Sequence, residues 1–217
     1  MMSMRHGRTL PVLELVLCLV LSGCVGPSRP IQDVSYYTFS YDPPQSARDK
    51  HLAVVLQIDR FTAAPLYNTE RIVYQSGPYK RNVYHYHRWQ SNPADLVTYY
   101  LARDLKASGR FAAVLTETGR LLATHFVTGT VDEIFENDTT NGWQAVIAIT
   151  VQLSKAGENQ ADKAILFQKS YRGSELSASR SPSAVVAAMS TAMAAVSEAV
   201  LADVFAALSD TEADLGQ

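Results

Sequence analysis

The chain has 217 residues, with 19 basic and 21 acidic side chains and a formal net charge of −2. This length suits one domain or two small ones, and the near-neutral balance disfavours nucleic-acid binding as the main function. Both cysteines, Cys18 and Cys24, lie near the N-terminus. Two cysteines exclude a disulfide scaffold and any zinc or iron–sulfur site that needs several thiolates.

Residues 1–23 are predicted to be a lipoprotein signal peptide. Arg5 and Arg8 precede an apolar run over residues 10–21, which is the layout of a secretory signal. A retained transmembrane anchor is the alternative. It is disfavoured because the run has only 12 residues and contains Glu14, whereas a spanning helix needs about 20 apolar residues.

The apolar run ends in a sequence that resembles the bacterial lipobox, in which the chain is cut before a cysteine that is then acylated. The lipobox residues are Leu21, Ser22, Gly23 and Cys24. Acylation of Cys24 anchors a chain without a spanning helix, and Val25 favours the outer membrane by resemblance to other bacterial lipoproteins. Residues 24–34 contain Gly, Pro and Ser, so we expect a short flexible tether that reaches at most about 33–36 Å.

Strand-like patterns begin at residue 35. Residues 36–41 predict a short aromatic strand, and residues 52–59 alternate in polarity with the period of a strand. Two further β-rich runs at residues 71–75 and 82–89 flank Gly77-Pro78. They predict a β-hairpin with a longer connection.

A helix is predicted over residues 93–108. Asn92 is the expected N-cap, Pro93 takes the first helical position, and Gly109 is the expected stop. A short strand should follow at residues 111–115. Three longer strands joined by polar turns predict an antiparallel meander, at residues 125–135, 143–153 and 164–171.

A second helix is predicted to begin at Ser181-Pro182. Apolar side chains recur at steps of three or four and give the helix one apolar face. They are Val185, Met189, Met193, Val196, Val200, Val204 and Leu208. A membrane span is the alternative for this helix, but Glu198, Asp203 and a serine stripe count against it. The stripe consists of Ser183, Ser190 and Ser197.

The order of strands, helix, strands and helix predicts a single α+β domain over residues 35–208. Its sheet should be mainly antiparallel and covered by two helices. Residues 209–217 are acidic and polar, and we expect them to form a tail.

Aromatic side chains are concentrated in the predicted hairpin, and we predict that part of this cluster binds another protein. The candidate interface residues are Tyr74, Tyr79, Tyr84, Tyr86 and Trp89. Tyr and Trp are enriched where one protein surface meets another. The alternative is that these residues reflect β-propensity and core packing.

The sequence offers no catalytic constellation. The motifs GxxxxGK[ST], GxGxxG, GxSxG, HExxH and CxxC do not occur, so we predict no enzyme and no cofactor. His85 and His87 are a weak candidate metal pair, because their spacing puts both on one strand face. A usable site needs further ligands, and we favour an exposed hairpin face instead.

An acidic group on the first meander strand is a second candidate cation site, for Ca²⁺. It consists of Asp132, Glu133, Glu136 and Asp138. It lacks the glycine-containing spacing of an EF-hand loop, and strand alternation divides it between two faces. We therefore expect a solvated strand end.

Several segments together carry a resemblance to a known family. They are PLYNTERIVYQ at residues 65–75, Arg88-Trp89, NPADLVTYYLARDL at residues 92–105, SGRF at residues 108–111, GTVDE at residues 129–133 and the alanine-rich last helix. In this order, behind a lipobox, they resemble the ABC-type transport auxiliary lipoproteins, the PqiC-like group of membrane-integrity-associated transporter subunits. The resemblance covers residues 35–208.

The resemblance implies an outer-membrane lipoprotein that docks the periplasm-spanning part of a mammalian-cell-entry (MCE) lipid transporter. It also implies a fold similar to the N-terminal domain of TolB-type proteins, with no catalytic residues. A homo-oligomeric ring of copies would match the symmetry of an MCE tube. Two alternatives are a periplasmic lipid-binding carrier, with a cavity lined by Leu56, Leu101 and Val196, and a lipoprotein regulator of cell-wall synthesis.

Overall fold

The computed structural model describes residues 33–44, 51–116, 122–157 and 163–215. The predicted signal peptide, the lipobox with Cys24 and the tether up to residue 32 lie outside the described residues. Residues 34–217 form one compact unit.

Within the described residues the chain forms nine strands and two helices. The strands are β1 (Ser35–Tyr37), β2 (Leu52–Ile58), β3 (Thr62–Ala63), β4 (Arg71–Gln75), β5 (Arg81–Trp89), β6 (Phe111–Leu115), β7 (His125–Thr139), β8 (Gly142–Ala156) and β9 (Lys163–Leu176). The helices are α1 (Pro93–Ala107) and α2 (Pro182–Leu215).

One mixed, mostly antiparallel sheet holds all nine strands. Its main order is β1-β5-β4-β7-β2-β6, and β7 is the central strand. One edge of β7 pairs antiparallel with β8, which pairs antiparallel with β9. The other edge pairs in parallel with β2, β3 and β4 in turn. The predicted hairpin and meander are therefore confirmed, and the parallel pairings are additional.

Helix α1 begins and ends where its capping residues predict. The Asn92 side chain accepts a hydrogen bond from the backbone N–H of Ala94, at 3.0 Å, which satisfies one of the unpaired donors of the first turn. Pro93 occupies the first turn and Asp95 adds a favourable charge there. Gly109 follows the helix with a φ of 64°, which favours glycine over other residues.

Helix α2 is longer than predicted and packs against the sheet. It runs to Leu215, so the backbone of residues 209–215, where the sequence indicated a tail, is helical. The predicted apolar stripe is buried along its whole length, against β8, β9 and α1. The segment Pro182–Thr211 is long and apolar enough to cross a membrane, and core helices share that property.

A buried polar cluster around Asp104 joins the N-terminal segment to both helices. Its carboxylate accepts hydrogen bonds from the Tyr41 hydroxyl at 2.8 Å, the Ser197 hydroxyl at 2.6 Å and the Arg103 guanidinium at 2.7 Å. Ser190 and Ser197 of the serine stripe are thus buried inside the fold, whereas Ser183, at the start of α2, is exposed. Because α1 and α2 meet at Asp104 and Ser197, both helices lie on the same face of the sheet.

The opposite face of the sheet is polar where β3, β7, β8 and β9 pair. Paired residues of β3, β7, β8 and β9 put four hydroxyl side chains in one row, Thr62, Thr130, Thr150 and Ser170. Adjacent hydroxyls are 3.0 Å apart at one end of the row and 2.9 Å apart at the other. These hydroxyl groups can form hydrogen bonds with water. This part of the sheet therefore does not need a layer of helices to cover it.

Candidate partner-binding surface

The β4–β5 hairpin carries a large bulge that displays aromatic side chains. Arg71 pairs with Arg88 and Val73 pairs with Val83. Between these two pairs β4 has one residue, whereas β5 has the four residues 84–87. The bulged run is Tyr84-His85-Tyr86-His87. Bulges re-aim side chains and end regular pairing, so this run departs from the simple alternation that the sequence suggested.

Half-buried rings form a continuous row from the hairpin to β1. The Tyr74 and Tyr84 ring centroids are 4.8 Å apart, and those of Tyr84 and His87 are 5.5 Å apart at a near-perpendicular angle. The Tyr37 hydroxyl lies 3.0 Å from Nδ1 of His87. Ring pairs at these separations stabilise one another by about 0.5–1.5 kcal/mol beyond the burial of their area. The row therefore gives the hairpin a fixed shape.

A buried carboxyl group holds this row to the centre of the sheet. The Tyr84 hydroxyl donates a hydrogen bond to Oε2 of Glu136, at 2.9 Å, and Glu136 is 1% exposed. Burial raises the pKa of Glu136 to about 7, the Tyr84 hydrogen bond opposes that rise, and the charge of Asp138 adds to it. Burial and the neighbouring carboxylate also raise the pKa of Tyr84.

The buried position of Glu136 corrects the prediction of a solvated strand end. Val131 pairs with Ile149 but Glu133 pairs with Ala148, so β7 has one extra residue at this point. The extra residue reverses the alternation, and Glu136 turns to the face that Val131 occupied. No local pattern in the sequence predicts this one-residue bulge.

Each of the other acidic residues in this group has its own partner. Asp132 accepts a hydrogen bond from Thr150 at 2.7 Å, Glu133 pairs with Arg172, and Asp138 pairs with Arg180 at 3.3 Å. Among the described residues no three His, Cys, Asp or Glu side chains are grouped for a metal ion. His87 contacts Tyr37, and His85 lies against Tyr86 with ring centroids 6.4 Å apart.

The candidate interface residues divide into three groups. Tyr79, in the hairpin turn, is 99% exposed, and Tyr86 is 44% exposed. Tyr74 and Tyr84 are half-buried in the ring row. Trp89 is 1% exposed and packs against Phe39, with ring centroids 5.5 Å apart. Trp89 is therefore a core residue. For this residue the interface prediction is wrong and the core-packing alternative is correct.

Tyr37 and Glu136 hold the ring row in place and were not among the candidate interface residues. The chain reaches Tyr37 about fifty residues before His87, and β1 pairs with β5 in parallel. Parallel pairing of distant segments has no short-range signal such as a turn. A tyrosine-rich β1 was the available indication, but nothing in the sequence specified its partner strand.

A family model described as the ABC-type transport auxiliary lipoprotein component matches residues 37–201. The chain belongs to this family. The predicted resemblance is thereby confirmed, and it spans the hairpin, α1, the meander and the first part of α2. Membership in this transport auxiliary lipoprotein family implies association with an ABC transporter system and anchorage to a membrane.

Solved structures show how widely the fold occurs. A Xanthomonas campestris protein of the DUF330 family is 17% identical with a TM-score of 0.73, covering 82% of this chain and 99% of its own. An uncharacterized protein is 13% identical with a TM-score of 0.62, covering 79% and 99%. A hypothetical protein from Chlamydia trachomatis is 11% identical with a TM-score of 0.50, covering 72% and 98%. At these identities the likeness shows the fold alone. No curated protein sequence matches the auxiliary lipoprotein, and its likeness to TolB-type domains stays a prediction.

Proposed function

We propose that this auxiliary lipoprotein is a non-catalytic adaptor of an MCE-type lipid transport system. In this proposal, acylated Cys24 anchors the chain in the outer membrane, and the folded domain docks the periplasm-spanning component and supports membrane integrity. The family match over residues 37–201, downstream of a lipobox sequence, is the observation that carries the proposal.

The hairpin turn is the surface that we propose contacts the transporter. Tyr79 is 99% exposed, and an aromatic side chain that becomes buried when a partner binds supplies much of the binding free energy at protein interfaces. The ring row and the bond from Tyr84 to Glu136 hold the base of the hairpin in place. A preorganised hairpin loses little conformational entropy on binding.

Several copies would bind one transporter tube in this proposal. A tube built from rings presents the same site repeatedly, so a homo-oligomeric ring of adaptors matches its symmetry. The polar row of Thr62, Thr130, Thr150 and Ser170 leaves one sheet face able to contact a neighbour through hydrogen bonds. Chemical crosslinking of the purified lipidated protein measures the number of copies.

The lipid-carrier alternative is less well supported than the adaptor. Its predicted cavity residues, Leu56, Leu101 and Val196, are buried in one close-packed hydrophobic core. Surface depressions of about 210–300 Å³ lie elsewhere, and the residues that line them do not include these three. We therefore argue the adaptor function alone.

The test is site-specific photo-crosslinking in cells. A photoreactive amino acid replaces Tyr79, and in a matched control it replaces Tyr99, a tyrosine on α1 that is 63% exposed. We expect an MCE-domain protein to crosslink to position 79 and not to position 99, as identified by mass spectrometry. Recovery of cell-wall synthases at position 79, or equal crosslinking at both positions, would contradict the proposal.

A further inference from the structure

A second exposed surface lies where the chain enters the sheet. β1 stands at the end of the main strand order, and its register places Tyr36 opposite Arg88. On the other side of β5, Arg71 also pairs with Arg88. Directly paired residues point to the same face of a sheet, so these three side chains form one row. Tyr86 lies two residues before Arg88, in the bulged run of β5, and adds a second exposed ring near this end of the strand. We call Tyr36, Arg71, Tyr86 and Arg88 the edge patch.

The edge patch combines exposed rings with positive charge that no acid neutralises. Tyr36 is 56% exposed and Tyr86 is 44% exposed. Among the described residues, neither Arg71 nor Arg88 forms an ion pair with a carboxylate, and Nε of Arg88 is buried without a hydrogen-bond partner. Like charges directly opposite each other on neighbouring strands repel. An anion bound at the patch would relieve this repulsion.

The edge patch lies next to the end of the predicted tether. β1 begins at Ser35, and ten residues separate Cys24 from it. Ten residues span at most about 33–36 Å, so β1 is the part of the domain held nearest to the membrane. The hairpin turn lies at the other end of β5. Arg88 lies seven residues after Arg81 along β5, which corresponds to at most about 23 Å.

We propose that the edge patch docks the folded domain on the phospholipid headgroups of the membrane that holds acylated Cys24. A guanidinium group binds phosphate oxygens in a two-point geometry that suits a phospholipid headgroup. Tyrosine rings are enriched at the depth of the headgroups, where one end of the ring is apolar and the other is hydrated. This inference rests on the lipid anchor of the proposed function and deepens it. The adaptor then has two ends, with Tyr79 directed away from the membrane.

The test measures which residues approach the headgroups. The mature lipidated chain has no free thiol when Cys24 is acylated, so Tyr86→Cys introduces one site for a fluorophore. Tyr79→Cys and Tyr99→Cys are the matched controls. Each labelled protein is placed in vesicles of phosphatidylethanolamine and phosphatidylglycerol that contain a phospholipid with a nitroxide on its headgroup. We expect quenching at position 86 and little at positions 79 and 99.

Charge variants test the contribution of the arginines. We expect Arg71→Gln with Arg88→Gln to lower the ratio of docked to undocked protein by roughly thirtyfold, about fivefold for each charge. Lys80→Gln with Lys106→Gln removes two exposed positive charges elsewhere and should leave the ratio unchanged. Circular dichroism checks that the arginine variant folds. If it does not fold, quenching at position 86 is measured at high salt in protein that keeps both arginines, and it should fall because salt screens their charge.

Equal quenching at positions 86, 79 and 99 would overturn the inference. Absence of quenching at position 86, in protein that stays bound to the vesicles, would also overturn the inference. Failure of the proposed function is recognised separately. Mass spectrometry that finds Cys24 unmodified would remove the anchor, and crosslinking at Tyr79 reports on the transporter independently of the edge patch.

Discussion

The buried carboxyl group of Glu136 makes the stability of the domain depend on pH in a direction that few carboxyl groups show. Its pKa rises from an ordinary value of 4.5 to about 7 in the folded chain, mainly because of burial. The folded state therefore binds the proton more tightly than the unfolded state does. The stabilisation is fully present below about pH 4.5 and is lost as the pH rises through 7.

The expected magnitude follows from the two pKa values. A difference of this size corresponds to about 3 kcal/mol of unfolding free energy between pH 4.5 and pH 8. Glu136→Gln keeps the size of the side chain and an oxygen that accepts the hydrogen bond from Tyr84, but it cannot ionise. We therefore expect the variant to gain about 3 kcal/mol relative to wild type across this pH range.

Urea unfolding at a series of pH values measures this difference, on a chain that begins at residue 25 and contains the compact unit of residues 34–217. Glu133→Gln is the matched control. It makes the same chemical change on the same strand, but Glu133 is only partly buried and pairs with Arg172. A difference between Glu136→Gln and wild type that stays constant from pH 4.5 to pH 8 would refute the reasoning.

Two further predictions concern packing and can be checked by the urea midpoint. Asp104→Ala leaves several buried donors without an acceptor, and should lower the free energy of unfolding by about 3–5 kcal/mol. Ser197→Ala removes only one donor and should lower it by about 1 kcal/mol. Equal losses would contradict the central role of the Asp104 carboxylate. Gly129→Ala places a Cβ 2.4 Å from the carbonyl oxygen of Thr150 and should cost about 1–3 kcal/mol. Gly77→Ala meets nothing within 4 Å and should change stability by less than about 0.5 kcal/mol, so similar losses in both glycine variants would show that the close contact is unimportant.

Local patterns predicted the elements of this fold well because their causes are local. The cap of α1 depends on Asn92 and Pro93, the hairpin on a turn between two β-rich runs, and the meander on three alternating segments with polar turns. Each of these signals lies within a few residues of the structure that it specifies. The α+β fold class and the two helices could be predicted from these local signals.

The arrangement of the sheet and the details of the surface could not be predicted in the same way. β1 joins β5 across fifty residues, and β4 joins β7 in parallel, with no turn to announce either pairing. The bulges in β5 and β7 then change which face each side chain takes. The bulge in β7 is why Glu136 is buried, although alternation alone predicted a solvated strand end. Trp89 was predicted at an interface from its residue type, which does not distinguish an interface from the core in which it lies.

The hydrogen bonds between the first and last segments of the domain also fix when folding can finish. The N–H of Ser40 donates to the hydroxyl of Ser190, 150 residues later in the chain. Contacts this distant in sequence form late, and α2 follows every other described element in the chain. Residues 37–41 can therefore be locked in place only after the segment that contains Ser190 has been synthesised. A premature stop before Pro182 would leave the apolar face of β8 and β9 uncovered, and we expect proteases to remove that product.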